Sequence, residues 1–240
     1  MAARLYQFRT SPYCAKVRKI LDFKGIAYEV IEVDYLERKE LLQASGQLFV
    51  PALTLDGGET IVDSARIALR LEELVPEPTI LPVSWRGLHL ALAEYLDNQV
   101  EELIFRARLP YSRAYFRAQG RDREALWRLV REKKYGAGFI DRTIAEHDLH
   151  LKHACELLAY FDSALEGKAF LLGDRARRFR TIWPAQLVHF YRPKSDPGEV
   201  REPPRVLRSD RSNYLEAPTG IEAPTGRIVG RALDASCCRG

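Results

Sequence analysis

The sequence predicts an α/β domain, an all-α helical bundle domain and an irregular C-terminal tail, in that order along its 240 residues. Residues 1–76 alternate strand and helix patterns in the order β-α-β-α-β-β-α. From residue 84 to residue 174 only the helical period of about 3.6 residues continues. Residues 175–240 lose that period and become rich in proline and arginine. These observations define the expected organisation of the chain.

The α/β domain begins with a short strand over residues 4–8 and a helix that starts at Pro12. Ser11 before Pro12 is a favourable pair of N-cap and first helical residue, and Gly25 ends the helix. The remaining expected elements are a strand over 28–34, a helix over 36–44, a strand over 50–55, a turn over 56–58, a strand over 60–62, and a helix capped by Ser64 and ended by Pro76. Few folds use this order at this length, and we expect the thioredoxin-like one.

The helical domain, residues 84–174, follows a linker that runs from Pro76 to Pro82. Apolar residues at helical spacing predict a long helix that closes before Pro110, a second helix, and a third with the most regular stripe. The residues that mark these helices are Leu88, Leu92, Leu96 and Leu103 for the first, Leu126, Leu129 and Val130 for the second, and Ile144, Leu151, Ala154, Leu158, Phe161 and Leu165 for the third.

The tail, residues 175–240, holds seven of the 13 prolines. It also carries the excess positive charge, with 13 basic against 7 acidic residues, whereas residues 1–174 carry 24 against 26. Such a composition is typical of a solvated segment that is irregular or disordered. The slightly acidic patterned part argues against a core that binds nucleic acid.

Composition also limits location and cofactors. No apolar run approaches the ~20 residues needed to cross a bilayer, and no secretory signal precedes the first strand. The four cysteines are too few and too scattered for a disulfide framework, which favours a reducing, cytoplasmic location. His147, His150 and His153 recur every three residues with no Cys or carboxylate that clearly completes a site, so we expect no metal.

The first candidate site is Ser11 with Cys14, where the first strand meets the first helix. Unpaired N–H groups at a helix start favour negative charge and lower the pKa of a sulfur placed there. A serine cannot carry out dithiol exchange, but its hydroxyl can donate a hydrogen bond to a bound sulfur. The alternatives are that Ser11 is a plain N-cap and that Cys14 is a small buried apolar residue rather than a redox thiol.

Two more candidate sites follow in the same domain. Pro51, after Val50, lacks the N–H that a strand ladder needs, and a cis bond there would leave the preceding backbone groups free for a ligand. The alternative is an ordinary trans proline at a strand edge. Asp63 and Ser64 stand at another helix start, where they either cap the helix or hold an α-amino-acid head group.

In order and spacing, Ser-Pro-Tyr-Cys at 11–14, Val50-Pro51 and Asp63-Ser64 resemble the motifs of the glutathione S-transferase family, and the resemblance covers about residues 4–174. It implies that Ser11 acts on the thiol of glutathione. It implies further that the Val50–Pro51 bond is cis, that the backbone of Val50 pairs with the cysteinyl part of glutathione, and that Asp63 with Ser64 takes the γ-glutamyl group.

The resemblance implies a cytoplasmic homodimer that conjugates glutathione, as co-substrate, to a small electrophile. The family also includes isomerases, peroxidases and dehalogenases, so the reaction subclass stays open. One alternative is a glutathione-dependent thiol reductase that uses Cys14, although serine rather than cysteine at position 11 weighs against it. The other is a non-catalytic binding module that keeps the fold.

The chain departs from the family pattern after Asp174. Family members continue from Leu-Leu-Gly-Asp, here 171–174, into a helix with a Ser or Thr cap and an Asp, but residues 175–180 contain neither. Together with the change in composition, this departure indicates translation in a shifted frame from about residue 175. We therefore expect the tail not to replace the missing helix.

Overall fold

Four strands form one mixed sheet in the order β2-β1-β3-β4, and the computed structural model describes residues 2–165 of the chain. The strands are β1 (Ala2–Gln7), β2 (Ala27–Glu32), β3 (Ala52–Leu55) and β4 (Thr60–Val62). β1 runs parallel to β2 and antiparallel to β3, and β3 runs antiparallel to β4. This topology confirms the thioredoxin-like α/β order expected for the start of the chain.

Three helices cover the two faces of the sheet: α1 (Pro12–Lys24), α2 (Lys39–Ser45) and α3 (Ser64–Leu74). Successive side chains of a strand point to opposite faces. Leu5 of β1 therefore belongs to the core shared with α1 and α3, whereas its neighbour Tyr6 packs in a second cluster with Leu41 of α2. The alternation assigns α2 to the face opposite α1 and α3.

A helical part follows the sheet, as expected for residues 84 onward. Its elements are a short 3₁₀ turn (Val83–Trp85), α4 (Arg86–Tyr95), a π-helical turn (Leu96–Val100), α5 (Glu101–Ala107), α6 (Leu109–Ala118), α7 (Arg121–Tyr135), α8 (Phe139–Ala145) and α9 (His147–Leu165). Ala93, Val100 and Ile104 join the same apolar core as Ile20 of α1 and Leu71 of α3. The helical part thus packs on the α1 and α3 side of the sheet.

A buried ion pair fixes the linker between the sheet and the helical part. Lys24 Nζ donates to Glu72 Oε2 at 2.6 Å and to the backbone carbonyls of Val75 at 2.6 Å and Pro78 at 3.2 Å. Glu72 in turn accepts from the backbone N–H groups of Ile80 at 2.9 Å and Leu81 at 3.2 Å. Because each charge has several partners, these hydrogen bonds offset the desolvation penalty of burying the pair.

Several element boundaries differ from those expected. α2 begins at Lys39 rather than near residue 36, because the Asp34 carboxylate accepts from the N–H groups of Leu36 and Glu37 and holds them in a turn. The helix expected to close before Pro110 does so, because α5 ends at Ala107, and Pro110 lies in the first turn of the next helix, α6, where proline is tolerated.

The helical stripes also differ in detail. Leu129 and Val130, expected to face the core, are exposed, and Trp127 is the buried residue of α7. Ile144 belongs to the separate helix α8, so the third expected stripe covers two helices. The expectations for residues 166–174 and for the tail, 175–240, lie outside the described residues.

Candidate functional site

The register of the sheet brings the three candidate sites to one edge. Tyr6, near the end of β1, pairs with Ala52 at the start of β3, and Ala52 pairs with Val62 at the end of β4. The segments carrying Ser11, Val50–Pro51 and Asp63–Ser64 therefore leave or enter the sheet side by side. With strands about 4.8 Å apart, β1 and β4 lie about 10 Å from each other.

Ser11 is the N-cap of α1, as the sequence predicts. Its backbone is extended, with φ −78° and ψ 122°, and its N–H donates to the carbonyl of Phe8 at 2.9 Å. Its Oγ accepts from the backbone N–H of Cys14 at 3.4 Å, which is long for a hydrogen bond. The half-buried hydroxyl is thus held only loosely by its own helix.

Cys14 is fully buried in the first turn of α1. Burial raises the pKa of its thiol to about 11, and this outweighs the hydrogen bond from Ser11 and the charge of Arg18, which lower it. A thiol with this pKa is protonated at neutral pH and is a poor nucleophile. Of the two interpretations left open for Cys14, the geometry favours the small buried residue.

The Val50–Pro51 peptide bond is cis, as the resemblance implies. Pro51 is buried, Val50 is half-buried, and the β3 ladder begins only at Ala52. The backbone of Val50 therefore lies outside the ladder, at the same edge as Ser11.

Asp63, rather than Ser64, caps α3. Its Oδ1 accepts from the backbone N–H groups of Ala65 and Arg66, both at 3.0 Å, and its φ is +75°, a value that Asp tolerates better than most residues. Ser64 is the buried first residue of the helix. The expectation that Ser64 supplies the cap was wrong because the Asp63 carboxylate already accepts from both N–H groups and Ser64 is itself part of the helix.

A cleft of about 800 Å³ opens beside the turn that carries Ser11, and the sequence did not predict it. Phe8, Arg9 and Thr10 form one wall, directly before Ser11. Tyr115 and Phe116 of α6 also line the cleft. Because α6 was not predicted as an element, no sequence pattern could identify its contribution.

A cluster of ionisable side chains lies where α1 meets the π-helical turn and α5. Lys16 Nζ donates to Asp97 Oδ2 at 2.6 Å. Glu101 is only 8% exposed, and within the described part of the chain its Oε2 has no hydrogen-bond partner. Burial, with the nearby charges of Asp97 and Glu102, raises the pKa of Glu101 to about 7 against the opposing effect of Arg108 and Lys16.

Residues 2–165 contain neither a cluster of metal-ligating side chains nor a membrane-spanning helix. No group of three or more His, Cys, Asp or Glu side chains in this range is arranged to hold a metal ion. Nor is any helix in the range long and apolar enough to cross a membrane.

The sheet order, the polar start of α1 and the cis-proline at one edge define the class as a thioredoxin-like domain followed by helices. Residues 5–79 match the family model of the glutathione S-transferase N-terminal domain. This match confirms, over residues 5–79, the resemblance inferred from the motifs: this part of the chain is a domain of the glutathione S-transferase N-terminal type.

Relatives among known proteins agree with this assignment. Prostaglandin E synthase 2 from Danio rerio is 35% identical over 71 residues, which are 30% of this chain and 19% of that protein. The zeta class glutathione S-transferase from Euphorbia esula is 32% identical over 106 residues, 42% of this chain and 47% of that protein. The chain thus spans about a fifth of the first relative and about half of the second.

A solved structure supports the fold. The glutathione S-transferase CsGST83044 of Ceriporiopsis subvermispora, in complex with glutathione, superposes with a TM-score of 0.64 at 20% identity. The match covers 78% of this chain and 86% of that one. At this identity the likeness concerns the fold.

Proposed function

We propose that this protein binds glutathione at the common edge of β1, β3 and β4 and conjugates the thiolate to a small electrophile. One observation carries the proposal: a loosely held serine hydroxyl at the start of a 13-residue helix shares this edge with a cis-proline and a second helix start. The glutathione bound in the fungal structure of the same fold supports the choice of ligand.

Ser11 acts on the sulfur in this proposal. Its Oγ accepts from the Cys14 N–H, and the hydroxyl proton, which faces the Cys14 thiol in the structure, can turn and donate to a sulfur in front of the helix. The positive end of the helix dipole adds to the stabilisation of a thiolate. Both effects lower the thiol pKa toward neutral pH, where a free thiol of pKa ~8.5 is mostly protonated.

The two other segments hold the rest of the tripeptide. Both helix N–H groups bond to Oδ1 of the exposed Asp63, which leaves Oδ2 to accept from the ammonium of the γ-glutamyl group. Ser64 stands at the α3 N-terminus, where a carboxylate is favoured. Val50, outside the ladder, offers its backbone to the cysteinyl part.

The electrophile enters the cleft beside Phe8, Arg9 and Thr10. The cleft has the volume of a small-molecule site, and the rings of Phe8, Tyr115 and Phe116 supply apolar contact area. The buried, protonated thiol of Cys14 weighs against the reductase that we considered as an alternative. We also propose that the protein is a cytoplasmic homodimer, and sedimentation equilibrium tests the dimer.

Two measurements on the full chain test the proposal. Calorimetric titration with glutathione measures binding, and a spectrophotometric assay with a generic aryl halide measures conjugation. Ser84→Ala is the matched control for Ser11→Ala, because Ser84 is exposed and lies in the 3₁₀ turn away from the sheet edge. We expect the wild type to bind glutathione and to catalyse conjugation. Ser11→Ala should change these values, whereas Ser84→Ala should not. Binding without turnover would favour the non-catalytic module, and absence of binding would contradict the proposal.

A further inference from the structure

Four aromatic rings form a continuous ladder from the turn that carries Ser11 into the helical part. The ring centroids of Phe8 and Tyr35 are 5.2 Å apart, those of Tyr35 and Phe116 4.7 Å, and those of Phe116 and Trp127 5.5 Å. Each distance is within the range of favourable aromatic pairing. The four residues come from four different segments of the chain, so the ladder is a tertiary structure rather than a local one.

Phe8, whose ring is the first of the ladder, is hydrogen-bonded to Ser11 through its backbone. The carbonyl of Phe8 accepts from the Ser11 N–H at 2.9 Å, and this bond closes the turn before α1. Phe8 also lies in the wall of the cleft, as do Tyr35 and Phe116. A displacement of the ladder would therefore move the turn that ends at Ser11.

Tyr35 is the ring that joins the two parts of the molecule. It lies between β2 and α2, whereas Phe116 belongs to α6. Its hydroxyl accepts from Arg131 Nη1 of α7 at 3.0 Å. The guanidinium carbon of Arg38 stands 4.8 Å from the Tyr35 ring centroid and 5.0 Å from that of Phe8.

A neighbouring ion pair supports the same connection. Asp34, next to Tyr35, pairs with Arg123 of α7. Asp34 also accepts from two backbone N–H groups of its own turn, which hold the segment before α2 in shape. Asp34 thus connects the β2–α2 segment both to its own backbone and to α7.

We propose that Tyr35 is a positioning residue, which holds the Ser11 turn against the cleft by linking Phe8 to Phe116 and Arg131. Its role in turnover rests on the proposed function, but its effect on the geometry at position 11 does not. Tyr35 itself touches neither Ser11 nor the sulfur in this account. Its hydroxyl fixes the ring through Arg131, and the ring fixes Phe8.

Tyr135 provides a matched control for a merely structural effect. Like Tyr35, it is half-buried and packs against the apolar cluster around Trp127. Its hydroxyl also makes a bond with a charged partner, donating to Glu102 Oε2 at 2.7 Å, and Arg106 stands 5.8 Å over its ring. Tyr135→Phe and Tyr35→Phe each remove one such bond, but only Tyr35 contacts Phe8.

The first test measures the geometry at position 11 without any ligand. In a Ser11→Cys background, the alkylation rate of the introduced thiol as a function of pH reports how well the helix start stabilises a thiolate. Mass spectrometry that resolves position 11 from Cys14 gives the rate. We expect Tyr35→Phe to slow alkylation at neutral pH by about threefold through a raised thiol pKa, and Tyr135→Phe to leave it unchanged.

The second test measures turnover in the otherwise unaltered chain. We expect Tyr35→Phe to lower kcat about tenfold and Tyr35→Leu up to about 100-fold, with KM for glutathione changed less, because misplacement of a reacting group by about 1 Å has effects of this size. Thermal unfolding of Tyr35→Phe and Tyr135→Phe should show similar losses of Tm, so that a difference in kcat is not a difference in folding.

The outcomes separate this proposal from the proposed function. If the wild type neither binds nor turns over glutathione but the thiol at position 11 responds to Tyr35→Phe alone, the positioning role stands and the transferase proposal fails. Equal thiol pKa values in Tyr35→Phe, Tyr135→Phe and the parent would overturn the positioning role whatever the activity. A kcat that falls equally in both tyrosine variants would overturn it as well.

Discussion

The helices α1 and α3 begin at the same edge of the sheet, yet their N-caps are used differently. Asp63 is charged and exposed, and its carboxylate makes two bonds of 3.0 Å to the N–H groups of α3. Ser11 is neutral and half-buried, and its hydroxyl oxygen accepts from the N–H of Cys14 at a long distance of 3.4 Å. The two caps therefore differ in charge and in how strongly each is hydrogen-bonded to its own helix.

This difference explains why the start of α3 suits the anchoring of a ligand and the start of α1 suits chemistry on a sulfur. A carboxylate in front of α1 would compensate the helix dipole and repel a thiolate, whereas a hydroxyl leaves the positive end uncompensated. In front of α3 the Asp63 charge suits an ammonium group. The two starts thus match the two ends of one γ-glutamyl-cysteinyl unit.

The largest effect expected is on turnover when the hydroxyl at α1 is removed. Ser11→Ala should lower kcat for conjugation by one to three orders of magnitude, since loss of a donor to developing charge costs about 2–4 kcal/mol. Glutathione affinity measured by calorimetry should fall much less, because the contacts at Asp63 and Ser64 remain. Unchanged turnover would remove Ser11 from the mechanism.

The next largest effect is expected from Glu101, the carboxyl group that packs near α1. The pKa of Glu101 is about 7 in the folded protein and near 4.5 when unfolded, so the unfolded chain loses this proton first as pH rises. The free energy of unfolding should therefore fall between about pH 4.5 and pH 7 and level off above, by about 3 kcal/mol for a shift of this size.

Glu101→Gln, which imitates the protonated form, tests this pH dependence. Denaturant unfolding should give equal stability to wild type near pH 4 and greater stability for the variant at pH 8. The exposed Glu94→Gln serves as the control and should keep the wild-type slope. A variant with the same pH slope as wild type would mean that Glu101 ionises freely in the folded protein.

A smaller effect is expected at the cap of α3. Asp63→Ala removes both hydrogen bonds to the helix and should lower the free energy of unfolding by about 1 kcal/mol. Glutathione affinity should drop about tenfold from the lost ammonium contact, with kcat at saturation little changed. A variant that loses kcat but keeps affinity would reverse the roles assigned to the two helix starts.

The smallest effect on activity is expected at Cys14. Because its thiol is fully buried and its pKa is raised to about 11, Cys14→Ala should leave conjugation within about twofold of wild type. The lost side-chain volume should lower stability by about 1 kcal/mol. Loss of turnover without loss of Tm would restore Cys14 as a reactive thiol and favour the reductase.

The sequence predicted the sheet edge well because its signals are local. Pro12 after Ser11, Pro51 after Val50 and the Asp63–Ser64 pair each restrict the backbone at their own position, and the order of strands and helices along the chain follows from their residue patterns. Only the choice of Asp63 over Ser64 as cap was missed. That choice depends on a φ of +75°, which residue types alone do not determine.

The contacts between the sheet and the helices were not predictable in the same way. Tyr35 and Arg131 are 96 positions apart in the chain, and no periodicity links them. Glu101 looks like one charge among many in an acidic stretch until packing buries it. In α7 the sequence pattern pointed to Leu129, whereas tertiary packing buries Trp127.

If Ser11 stabilises the thiolate of bound glutathione, the ultraviolet absorbance of that thiolate will show it. The absorbance of the protein–glutathione complex is titrated with pH for wild type, Ser11→Ala and the Ser84→Ala control. We predict a bound thiol pKa well below that of a free thiol, ~8.5, in wild type and Ser84→Ala, and a value near ~8.5 in Ser11→Ala. The same lowered pKa in all three proteins, or no lowering in any, would contradict the account.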